Sequence, residues 1–370
     1  MPCRVSVSLG LRPAPIGGCD LAAEKPEFLT NLWYMAGLSH SLRPGAMRRE
    51  MLCGEPVLLA RNPAGQLFAL RDICPHRAAP LSAGRFRNGN VECPYHGWRF
   101  AGDGRCSHIP SVLQDQKFDI GAIRVRNYPA REQDGLIWVY FAADPRGAPV
   151  LDPPTIPLGA CAGDAAPKFV EAQLFPCDVD HAVVGLMDPA HGPFVHRAWW
   201  WRSEHSIHDK AKHHAPAPRG FTMVSHKPSA NSFAYKILGG DLKTEIRFEL
   251  PGLRFEHITA GKREVLGFTA VTPKDAGATL VTQVFYWTSP WLNAIRPFFR
   301  PFARAFLGQD RRIVELQNEG LKFSPPQMLI QDADVPAIWY HRLKKAWSES
   351  VETGTPFINP VPERTLRWRS

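Results

Sequence analysis

No run of eighteen apolar residues occurs in the 370-residue chain, so a membrane-spanning helix is not expected. The N-terminal stretch MPCRVSVSLGLRPAPIGG lacks a compact apolar h-region, which predicts no secretory signal. Cysteine is too thinly spread for a disulfide framework: Cys3, Cys19, Cys53, Cys106, Cys161 and Cys177 follow no paired pattern. A reducing, bacterial-type cytoplasm is the expected setting. Internal repeats are missing as well. The formal charge of +9 is dispersed and comes with no recognised nucleic-acid module, so nucleic acid is not an expected partner.

The length suffices for two domains and a large core. Residues 1–30, interrupted by Pro and Gly, read as an extended arm. Short alternating strands such as EPVLLAR, LFALRD and DGLIWVYFA predict an all-β unit over 31–145. The Pro-rich stretch PRGAPVLDPPTIP then reads as a connection into a second unit over 146–350. Within it, Lys243 to Thr288 alternates between turn signals at Pro251-Gly252, Ala260-Gly261 and Lys274 to Gly277, which predicts an antiparallel meander. Helices are expected from about Pro290 to Lys322 and around Val335 to Ser348, with 351–370 an extended surface tail. The class is α+β.

Four residues carry the chemistry. Cys74 and His76 stand in C-P-H, and after sixteen residues Cys93 and His96 stand in C-P-Y-H. Each loop offers one sulfur and one nitrogen, the set by which a Rieske [2Fe–2S] cluster binds one iron through two thiolates and the other through two imidazoles. Tetrahedral zinc is the competing reading, although zinc fingers bring Cys pairs followed by His pairs. Further on, GLMDPAHGPFVHR holds Asp188, His191 and His196 as D-x-x-H-x4-H. Two such imidazoles plus a carboxylate from elsewhere make a facial triad that leaves positions on Fe(II) open for O₂.

The flanks ICPHRAAPLSAGRF and VECPYHGWRFAGDGRC resemble the Rieske domain of the Rieske non-haem iron oxygenases, over about residues 30–145. With the second motif the resemblance extends to both units, that of a catalytic α-subunit. It implies a Rieske β-module followed by a helix-grip catalytic domain. It also implies the third ligand, because FLGQDRRIVELQ matches a family motif opened by an acid: Asp310, with Glu315 as fallback. By the same resemblance, Asp188 bridges a mononuclear-site His to a Rieske His of an adjacent subunit. On physical grounds a carboxylate there orients an imidazole, while an N-cap is its structural alternative. Gly185 stands near a position that is often polar in relatives.

The implied activity is O₂-dependent monooxygenation or oxidative demethylation of a small apolar substrate, aromatic or polycyclic. Cis-dihydroxylation or desaturation is the alternative, and a non-catalytic electron carrier or zinc protein is a further one. Electrons would come from a ferredoxin or an NAD(P)H reductase to Cys74, His76, Cys93 and His96. They would cross a subunit boundary through His96 and Asp188 to the Fe(2+) held by His191, His196 and Asp310. A head-to-tail trimer is therefore expected.

Other features weigh less. Arg71, Arg77, Arg85, Arg87, Arg99 and Arg105 form either a field that steers an acidic donor or an ordinary solvated surface. His205, His208, His213 and His214 are expected on a mobile loop near the active-site mouth. Asp178-x-x-His181 imitates the motif but has no His five residues later. Among Trp199, Trp200 and Trp201, at least one is expected to pack in the core or at a subunit interface. WLNAIRPFFRPFARAF reads as an amphipathic helix on the sheet, with weak membrane-surface contact as the alternative.

Overall fold

The computed structural model describes residues 28–113, 115–144, 150–164, 166–197, 207–228 and 241–370. Nearly all of the expected N-terminal arm, the 145–146 boundary, Trp199 to Trp201 and His205 lie outside the described residues.

The N-terminal part holds three small antiparallel sheets. One orders Leu32–Leu38, Leu136–Phe141 and Ala130–Gln133; its central strand LIWVYF is buried at every position, as a strand covered on both faces requires. A second contains the hairpin Met47–Leu52 and Glu55–Arg61. The third, Arg85–Arg87, Asn90–Glu92, Arg99–Phe100 and Cys106–His108, lies among the Cys/His loops.

Among the described residues, the C-terminal part is built on an eight-stranded antiparallel sheet. The expected meander is present as Leu242–Glu249, Leu253–Ala260, Arg263–Asp275 and Ala278–Trp287. Phe169–Phe175 closes one edge. Gly220–His226, Asp209–Ala217 and Arg364–Arg369 extend the other. Two expectations fail here. Residues 364–369 are not a surface tail but the edge strand, paired from Asp209↔Arg369 to His214↔Arg364. His213 and His214 sit in a strand rather than a mobile loop; His214 is buried and His213 contacts Glu363 at 2.9 Å.

Helices α1 (Val179–Met187), α2 (Gly192–Val195), α3 (Trp291–Ile295), α4 (Phe299–Leu321) and α5 (Val335–Thr353) accompany the sheet. The stretch expected to be helical is divided at Arg296–Phe298, a 3-10 turn containing Pro297, while Pro301 falls in the first turn of α4, where no N–H is needed. Burial of Trp339, Tyr340, Leu343 and Trp347 lays one stripe of α5 on the core. On α1, Asp180 accepts from Tyr340 Oη at 2.6 Å and Lys344 Nζ at 2.7 Å, which ties α1 to α5.

The two parts share their cores. One buried cluster joins Leu32, Tyr34 and Ile137 to Val183, Phe248 and Trp339; another joins Trp33 and Trp138 to Phe255 and Phe268. Thr272 Oγ1 donates to the Met35 carbonyl, and Trp347 Nε1 to the Thr30 carbonyl.

Candidate metal centres

The two Cys/His loops have the same build. In each, the cysteine N–H donates to the carbonyl five residues on, Ala79 or Trp98, and the N–H four residues on returns to the cysteine carbonyl. That fourth residue is left-handed in both, Ala78 at φ 58° and Gly97 at φ 69°. Side chains then divide by chemistry. Cys74 and Cys93 are buried, whereas His76 and His96 are exposed with ring centroids 4.6 Å apart. Burial pushes the Cys74 thiol up to about 11, so a bound metal, rather than neutral water, would ionise it. Local desolvation by its neighbours, and then His96, lower the pKa of the exposed His76, which favours the neutral form that a ligand needs. Two inner sulfurs and two outer nitrogens fit a Rieske cluster. Trp98 stacks on His76 at 4.6 Å and 5°.

The arginines near these loops are largely paired. Buried Glu92 takes Arg85 at 2.8 Å, Arg99 at 2.9 Å and Arg87 at 3.8 Å, and Asp103 takes Arg105 at 2.8 Å. A free positive field is correspondingly reduced.

The second constellation joins His191 and His196 to a residue far along the chain, Asp310. Asp178 caps α1 by accepting from His181 N at 2.9 Å and contacts its ring at 3.0 Å, a structural role for the imitation motif. Asp188 ends that helix as its C-cap, not the N-cap weighed as an alternative, and accepts from Ala190 N at 2.7 Å. The turn that follows places His191 before α2 and His196 after it, with their Nε2 atoms 3.1 Å apart. From α4, Asp310 Oδ1 comes to 3.1 Å from His196 Nε2 and 3.8 Å from His191 Nε2. Their ligand atoms lie within 4.8 Å of one another, close enough to hold a single ion. Two neutral nitrogens and a carboxylate fit a divalent iron. Glu315 instead pairs with Arg311 on the exposed side of α4.

Behind the ligands, Asp188 Oδ2 lies 3.6 Å from His191 Nδ1, beyond hydrogen-bond range, and that buried nitrogen has no hydrogen-bond partner among the described residues. The charges still feel each other. Burial resists ionisation of Asp188, but His191 outweighs it and holds the carboxyl below its usual value. Burial likewise disfavours the imidazolium of His191, and Asp188, with Asp310 after it, raises its pKa nevertheless. Under Asp188 and Pro189 lies a small cavity walled by Met187, Phe221, Met223, Ile246 and Trp368, with Arg254 and His214 as its polar members. A Cβ on Gly185 would meet nothing within 4 Å, so the missing polar side chain leaves open space.

Residues 32–129 match the Rieske [2Fe-2S] domain family, and residues 177–350 match the family described as the vanillate O-demethylase oxygenase C-terminal domain. The chain belongs to the Rieske non-haem iron oxygenases. The chain is 39% identical to the dicamba O-demethylase oxygenase component of Stenotrophomonas maltophilia over 172 residues, 46% of the chain and 48% of that protein. It is 30% identical to chlorophyllide a oxygenase of Chlamydomonas reinhardtii over 363 residues, 93% of the chain and 53% of that protein. The chain thus spans about half the length of these curated relatives. Its fold is that of dicamba monooxygenase bound to dicamba, with a TM-score of 0.69, 24% identity, and coverage of 88% of this chain and 98% of that one. The matched N-terminal domain is one that carries a Rieske-type [2Fe–2S] cluster, and dicamba monooxygenase, of the same fold, has been solved with non-heme iron.

Sequence reading missed two contributors. Phe306 stacks on His196 at 3.8 Å and 11°, and Gln309 contacts its other nitrogen. The signal was their spacing: Phe306, Gln309 and Asp310 are i, i+3 and i+4 on one helix face.

Proposed function

We propose that this oxygenase monooxygenates or oxidatively demethylates a small apolar substrate, aromatic or polycyclic, with electrons from a ferredoxin or an NAD(P)H reductase. The observation that carries this reading is the convergence of His191, His196 and Asp310 in the same chain as a Rieske unit, since an electron carrier needs no second centre. Cys74, His76, Cys93 and His96 hold the cluster; His191, His196 and Asp310 hold the iron. When bound, these groups supply electrons and activate O₂. The protein's own part is positioning. Exposed His76 and His96 and the one-third exposed Asp188 carboxylate are open to other copies of the chain, which suits transfer across a trimer boundary. Apolar walls beneath Asp188 suit an apolar substrate. The six described cysteines, all free, suit a reducing cytoplasm.

Demethylation is favoured because a matched family and a relative are both named for it. The balance is R–OCH₃ + O₂ + 2e⁻ + 2H⁺ giving R–OH, CH₂O and H₂O. The test supplies metal-loaded protein, a competent reductase, NAD(P)H and a panel of O-methylated aromatics. Formaldehyde equimolar with phenol and O₂ consumed is expected. A cis-diol carrying both oxygen atoms would replace the proposal with dihydroxylation, and loaded protein that never consumes O₂ with substrate would leave a carrier.

A further inference from the structure

We propose that Gln309 is a positioning residue for the mononuclear site, fixing the tautomer and ring plane of His196 so that Nε2 faces the metal. Gln309 Oε1 lies 3.0 Å from His196 Nδ1. The opposite nitrogen points at Asp310 Oδ1, 3.1 Å away, and at His191 Nε2. A neutral imidazole has one N–H and one lone pair. Ligation through Nε2 needs the lone pair there, so the proton must sit on Nδ1 and requires an acceptor. The amide oxygen supplies it; the reversed amide would set NH₂ against N–H.

His196 is 3% exposed, so water does not replace that acceptor, and an unpaired buried N–H carries a desolvation cost. Phe306 holds the ring from its face at 3.8 Å while Gln309 holds it from its edge. Together they leave the ring little rotational freedom. The two imidazoles are backed differently: His191 faces the carboxylate of Asp188 at 3.6 Å, and His196 faces an uncharged amide. Hydrogen bonding to the far nitrogen of a metal-bound His raises its basicity as a ligand and typically changes metal affinity 10–100-fold.

This inference rests on reading His191, His196 and Asp310 as one metal site. The experiment empties that site by chelation in cluster-containing protein and titrates it with Co(II), following d–d absorption and affinity. Gln309→Leu is expected to bind Co(II) about 10–100-fold more weakly with an altered d–d band, while cluster absorption stays unchanged. Gln309→Glu, which keeps an acceptor, should restore affinity to within about threefold of the parent or better. Parent-like binding by Gln309→Leu would overturn the proposal, as would a Gln309→Glu protein as weak as Gln309→Leu. If the parent binds Co(II) at no site, the site reading fails and the proposal with it. Should Gln309→Leu not fold, Gln309→Met is read the same way.

Discussion

Asp188 combines a structural role with the chemical one proposed for it. It closes α1, accepts from Ala190 N and lies 3.6 Å from His191. Asp188→Asn keeps the shape and most of the cap but removes the charge. Metal content of both centres should persist while turnover falls at least 10–100-fold. Normal product formation with full iron would remove the assigned role. His214 is a second residue with a measurable signature. Burial against Trp339 and Phe221 pushes it down to about 4. Between about pH 6.5 and 4 the unfolded chain therefore takes up a proton that the folded one refuses. Stability falls as pH drops through that window, by on the order of 3 kcal/mol, and this term changes no further below it. Denaturant midpoints against pH should show the loss in the parent and not in His214→Leu; parallel curves would contradict it. Gln309, by contrast, was legible only in part: its spacing sets it on the helix face of Asp310, but the ring it meets comes from far along the chain.

Among the elements, α1 bears the longest chain of consequences. Its N-cap Asp178 fixes where the helix starts, its C-cap Asp188 starts the ligand turn, and Asp180 fastens it to α5. Asp178→Ala should cost about 1 kcal/mol of stability, read as a lowered denaturation midpoint, with both metals still bound. An unchanged midpoint would leave the cap without energetic weight. The meander and both long helices were legible, since periodicity reports local burial directly. The Arg364–Arg369 strand was not. RTLRWRS carries alternate Leu366 and Trp368, but prolines before it and charges within it read as a solvated arm. Only pairing with Asp209–Ala217, itself unforeseen, gives it a place. Glu171 is similar: it is buried at 6% exposure because Arg304 and Arg300 reach it from α4, a contact no local pattern announces.

At the scale of the molecule, the Pro-rich connection suggested two separable units, yet the buried clusters run through both parts. A junction of this kind holds the Rieske loops and the second centre in fixed relation. The ligand motifs were legible because metal chemistry restricts residue type and spacing together; the shared core was not, because apolar residues carry no label of their partner. The account's central claim is that one chain holds two iron centres, with Asp310 serving only the second. Iron analysis and EPR of the parent and of Asp310→Ala test it most directly. The parent should hold about three irons per chain and a reduced-state signal of an imidazole-ligated [2Fe–2S] cluster. Asp310→Ala should keep that signal unaltered and hold about two. Equal iron in both proteins, or a parent with zinc and no such signal, would contradict the account.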